Sequence, residues 1–212
     1  MEIQTVMVFL AAAGLMMTTL YTLITAYIAI YAFGQFKEVR RTRQIAVFPS
    51  LRQVRSPTEA GKRAAIYNAY CENPEQFTSR AKLSRNEKLH ANCKEVIYGL
   101  SEIGVLVHHR MLDSIVVTDW LQHIPAKMFV ILARYVTEGE KRRGQDNYSV
   151  AFKKIAELGL EYWLESHMDS LDAQLVIYHS SNDQTKSRTF NQDQLQEMLE
   201  KIRSDLRDFG WL

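Results

Sequence analysis

The 212-residue chain has little of what breaks or cross-links a fold: four prolines, nine glycines and two cysteines. No repeat or low-complexity tract interrupts it. Two cysteines, Cys71 and Cys93, exclude a dense disulfide framework, and their spacing matches no zinc or redox motif. They read as reduced core residues of a cytosolic domain. HExxH and CxxC spacings are absent, so no metal site is expected. There is no glycine-rich phosphate loop and no Ser/His/Asp arrangement that spacing supports. Charge is nearly balanced at +2, which makes no demand for a nucleic-acid partner.

Charge is also missing from one place in particular. Residues Ile3 to Phe33 form a near-unbroken apolar stretch, and nothing later in the chain is like it. About 20 apolar residues span a bilayer core as a helix, and this stretch runs to roughly thirty. A secretory signal is short, follows a basic segment and ends at a small-residue cleavage site. Here the leading flank is acidic (Glu2), which predicts a single-pass anchor over residues 1–35. Lys37, Arg40, Arg41 and Arg43 follow, against a single Glu38. Positive flanks stay cytoplasmic, so the N-terminus is expected outside and the remainder in the cytosol.

The apolar stretch has two faces. At 100° per residue, Gln4, Ala11, Gly14, Thr18, Thr22, Thr25, Ala29 and Ala32 fall on one side. Phe9, Met16, Leu20, Leu23, Ile24, Tyr27 and Tyr31 fall on the other. A lone helix in lipid gains nothing from this sorting, whereas small and hydroxylated residues let helices approach and hydrogen-bond. Two readings stand: a packed dimer or small bundle, or a ring whose small stripe lines an opening. With no charge in the stretch, a pore would be weakly polar and gated by wetting.

Residues 36–55 read as a basic stalk or linker, with the anchor helix continuing through Arg43 and ending before Pro49. Residues 56–212 are long enough for one domain with its own core. Ser56-Pro57-Thr58-Glu59 and Ser84-Arg85-Asn86-Glu87 read as capping boxes, and Asn73-Pro74-Glu75 as a short helix start. The second box opens an amphipathic helix through Leu89, Cys93, Val96, Leu100 and Ile103. Asp113 starts another, through Val116, Val117 and Leu121, broken near Pro125. Met128, Ile131, Leu132 and Tyr135 carry the next. Tyr148 to Ser166 buries Val150, Ile155, Leu158, Tyr162 and Trp163, and a final helix turns Leu195, Leu199, Ile202 and Leu206 inward. Gln174 to His179 alone reads as a strand, and one strand makes no sheet. The expected class is all-α.

One motif carries chemistry: Arg85, Asn86 and His90, an arginine and a histidine five apart with asparagine second. Fifteen arginines and six histidines give about 0.4 bare pairs by chance, and requiring Asn or His second lowers this to roughly 0.03. The chemistry would be RNA cleavage through the 2′-hydroxyl, with His90 as general acid or base and Arg85 stabilising charge on the phosphate. Five helical residues are about 140° of rotation, so the pair does not share a face and an active site needs an oligomer. The competing reading makes Arg85 a solvated first-turn residue and His90 a packed histidine at a subunit contact. Three weaker features complete the survey. His108 and His109 are adjacent and point apart; Lys141-Arg142-Arg143 beside Gly144 reads as a solvated loop. Terminal Phe209-Gly210-Trp211-Leu212 is expected to dock its apolar side chains.

The N-terminal helix, basic stalk and helical domain with an RN-type RxxxxH resemble the small membrane accessory protein family of type VI-B CRISPR systems. The stretch from Glu102 to Asp113 also resembles a broad family of bacterial membrane-anchored helical proteins. The first resemblance implies a HEPN-like bundle and a homo-oligomeric ring in the bacterial inner membrane. Its N-terminal helices would form a pore that opens or assembles once an RNA-guided CRISPR ribonuclease effector has found viral RNA. It implies no cofactor; the partners are further copies of the chain, membrane lipids and, functionally, that effector. The alternatives are a membrane-tethered, metal-independent HEPN ribonuclease acting on RNA and assembled from protomers, and a passive anchored scaffold.

Overall fold

The computed structural model describes residues 2–143, 147–167, 174–181 and 184–212. The chain divides into two compact units, Met1–Ala46 and Val47–Leu212.

From Glu2 on, the first unit is helical, the beginning of α1 (Glu2–Val54). Within it, Gly14–Val39 (26 residues) is long and apolar enough to cross a membrane, and none of it is buried. Its threonines, weak helix formers in water, have settled their hydroxyl donors locally. Thr18 Oγ1 donates to the Gly14 carbonyl, Thr19 to Leu15, Thr22 to Thr18 and Thr25 to Tyr21, each at 2.8 Å.

The second unit is a helical bundle with one small hairpin. The helix expected to stop before Pro49 instead continues through it to Val54. Proline costs one backbone bond there, and burial of the following turns outweighs the loss. Leu51 is fully buried, Val54 nearly so, and Phe48 meets Trp120 edge-on at 4.8 Å. The buried Arg63 guanidinium donates to the Val54 carbonyl, satisfying an acceptor that the helix end leaves open. Burial of Leu51 and Val54 therefore places the last turns of the expected linker in the core.

Ser56 caps α2 (Pro57–Glu72), its side chain accepting from Glu59 N–H at 3.3 Å, with Pro57 at the first helical position. The Glu59 carboxylate pairs with Lys62. Pro74–Thr78 is a 3-10 helix, followed by the single turn α3 (Arg80–Leu83). The second expected box is corrected: α4 (Glu87–His108) is capped by Asn86, whose Oδ1 accepts from Leu89 N–H at 3.1 Å. Ser84 Oγ donates instead to the Ala81 carbonyl, because the α3 turn occupies the residues before it. Asp113 caps α5 (Ser114–Leu121). The break falls at Gln122, at φ 48°, and Pro125 sits in the first turn of α6 (Ile124–Arg143). The α5 and α6 axes differ by 85°.

The core is organised on α7 (Asn147–Ser166), which packs against α4, α5, α6 and α8 (Gln192–Asp208). Ala151, Phe152, Ile155, Ala156 and Leu160 are fully buried. Leu158 and Tyr162 are only partly so. Gly104 lets α4 reach the α7 backbone: a Cβ there would lie 2.0 Å from the Ala151 carbonyl oxygen. The four apolar positions of α8 are all buried, as their spacing requires. The lone-strand expectation is corrected. β1 (Gln174–Ser181) pairs antiparallel with β2 (Gln184–Asn191), from Gln174 opposite Asn191 to Ser181 opposite Gln184. The hairpin packs on α2, burying Leu175 and Ile177.

Candidate functional site

The RN motif lies where α3 hands over to α4. Arg85 is exposed in the turn, and among the described residues its side chain makes no hydrogen bond or ion pair. Asn86 is the cap of α4, so its carboxamide oxygen serves the backbone. His90, in the first turn of α4, is half-buried and faces α6. Its Nε2 lies 3.0 Å from the Tyr135 hydroxyl, and the rings meet edge-on at 5.7 Å.

The arginine brought to this histidine's partner is Arg80. Its guanidinium sits over the Tyr135 ring, 5.2 Å from the centroid. Its Nη1 lies over Gly139, where a Cβ would stand in ordinary contact with it at 3.4 Å. Glu138 accepts from the Arg80 backbone N–H and pairs with Arg142 at 3.0 Å. Burial, then the Lys94 and Arg80 charges, hold the His90 pKa below its ordinary 6.5. The imidazole is therefore neutral at pH 7, able to donate to or accept from the Tyr135 hydroxyl according to tautomer. This group is a neutral imidazole hydrogen-bonded to a phenol whose ring carries a guanidinium. Arg80 and Tyr135 were missed as site residues. Tyr135 carries the apolar period of α6, and its hydroxyl gives that period no mark. Arg80 lies outside the motif spacing.

On the first helix, Gly14, Thr18, Thr22, Thr25 and Ala29 are all exposed in the single chain; the Ala11 side chain lies outside the described ones. Opposite them Met16, Leu20, Leu23, Tyr27 and Tyr31 are 56–77% exposed.

The expected loop at Lys141-Arg142-Arg143 is corrected: these residues form the last turn of α6, with Lys141 and Arg142 exposed. Gly144 lies outside the described residues. His108 and His109 contact edge-on at 5.0 Å, and Trp211 stacks on His108 at 3.9 Å. The C-terminus thus docks through its indole, while Phe209 and Leu212 stay exposed. Burial first, then the His109 and Lys154 charges, lower the His108 pKa. Cys71 and Cys93 are free and buried, and burial pushes the Cys93 thiol up to about 12, which leaves it inert. Comparison with known protein families, with curated protein sequences and with solved structures finds no match for this chain.

Proposed function

We propose that the chain is a membrane-anchored protein that assembles through its N-terminal helix into a weakly polar pore. The helical domain then serves assembly or sensing. The observation that carries this is the Gly14–Val39 helix, apolar, bare on all sides and sorted into a small hydroxylated stripe and a bulky face. Lipid suits the bulky face, and other copies of the helix suit the stripe. The threonine back-bonds support it too. With their hydroxyl protons spent on carbonyls, these side chains offer only acceptor lone pairs, a lining polar enough to wet and too weak to hold an ion. In the reading the resemblance implies, this pore depolarises the inner membrane in support of an RNA-guided antiviral effector.

The ribonuclease alternative rests on a different observation, the His90–Tyr135–Arg80 group. Against it, Asn86 is committed to capping and Arg85 stands apart from that hydrogen-bonded group. The deciding experiment is electron microscopy of the detergent-solubilised full chain. A ring with central helices supports the pore; a dimer removes that reading and favours the nuclease or scaffold.

A further inference from the structure

Helices α6 and α8 both pack on α7 and leave between them a cleft of about 470 Å³. Its apolar lining is Phe129 and Ile202, both buried, with Met198 and Phe190 packed partly buried against the core. Phe190 belongs to an aromatic row: Tyr70 stacks on it at 6.5 Å and meets Phe77 edge-on at 5.5 Å. Two exposed cations also line the cleft, Arg134 from α6 and Lys201 from α8. Among the described residues neither is paired with a carboxylate, although Glu197 stands one turn before Lys201. The third cation in the lining, Lys153, differs. It is buried between Glu140 and Asp205, each at 2.7 Å, whose two carboxylates more than offset its charge, so it offers none to a ligand.

We propose that this cleft binds a small organic anion with a flat apolar body. The body would lie against Phe129, Phe190 and Met198, with a single phosphate or carboxylate between Arg134 and Lys201. Cavities of this size hold small organic molecules. A bare inorganic anion would meet the two cations and leave the apolar lining against water. A neutral hydrocarbon would leave the two cations of the lining unused. A polyanion would meet Glu197 and Asp205, which line the same cleft. The ligand class that answers every wall therefore carries one negative charge centre and one ring system. The site stands on the second unit alone and is independent of the pore reading.

The test is equilibrium dialysis of 2-naphthyl phosphate against the full chain in zwitterionic nanodiscs, with empty discs subtracted. Saturable binding is expected, weakened tenfold or more in the Arg134→Ala/Lys201→Ala double variant, since both charge-assisted contacts are lost. Inorganic phosphate and neutral 2-naphthol should each bind at least tenfold more weakly than the naphthyl ester. Met198→Trp, which fills the cleft, should abolish binding. If it unfolds the domain, the surface double variant decides alone. Absence of saturable binding to the wild type, or binding unchanged in the double variant, overturns the proposal.

Discussion

Replacing Gly104 by alanine tests the packing of the domain on its tightest contact. The added Cβ would fall 2.0 Å from the Ala151 carbonyl oxygen and 2.8 Å from its carbon. Carbon and oxygen settle at about 3.3 Å or more, so α4 and α7 must part by roughly 1 Å. The obstacle is backbone inside a helix with fully buried neighbours, and no side chain can swing aside. Overpacking of this kind costs about 1–3 kcal/mol, and a backbone clash belongs at the upper end. Alanine returns about 1 kcal/mol of helix propensity, leaving a net loss of about 2 kcal/mol. For a chain of this size, that lowers Tm by roughly 4–8 °C. Gly61→Ala is the matched control, because nothing lies within 4 Å of its added Cβ on α2. It should raise Tm by about 1–4 °C. Thermal unfolding of the detergent-solubilised protein, followed by circular dichroism, gives both values. A Gly104→Ala protein as stable as wild type would refute the α4–α7 contact as described.

The remaining expectations concern topology, chemistry and pH. A reporter fused after Leu212 should be active in the cytoplasm, since Lys37, Arg40, Arg41 and Arg43 follow the apolar helix; periplasmic activity would reverse the orientation. Purified oligomer should cleave RNA no faster than background. Cleavage by wild type that drops 10²–10⁴-fold in an assembled His90→Ala variant would instead establish the nuclease. Burial holds His90, His108 and His123 below the ordinary histidine pKa of 6.5. The unfolded chain therefore binds more protons in the window below 6.5, and stability must fall as pH drops through it. Tm should be lower at pH 5.5 than at 7.5, with a shallower difference in His123→Gln; a Tm independent of pH in this range contradicts the burial of these rings.

Helix positions were legible in the sequence wherever a period coincided with a cap. Asp113 gave the start of α5, and the run Leu195, Leu199, Ile202, Leu206 gave the buried face of α8 but not its Asn191 cap. Three features needed tertiary context. The helix passes Pro49 because Leu51 and Val54 are buried, and a local rule cannot see that burial. The second strand, QTKSRTFN, is mostly polar and gains its place by pairing with Leu175 and Ile177 and by covering α2 through Phe190. Its partner strand therefore looked solitary. At the motif, spacing singled out Arg85 and His90, which one chain leaves apart; the arginine at the ring His90 bonds is Arg80. Arg80 reaches the Tyr135 ring because the short α3 turn folds its side chain over Gly139, a contact no linear pattern encodes.

The central claim, that the small stripe of the first helix lines a membrane pore, is tested most directly by conductance across a planar bilayer. Purified wild-type protein should give discrete, weakly selective openings. Thr18→Leu/Thr22→Leu should abolish them by making the stripe apolar and bulky, whereas Leu20→Ile/Leu23→Ile on the opposite face should leave them intact. An electrically silent wild-type protein, or equal conductance in both variant pairs, would contradict the account.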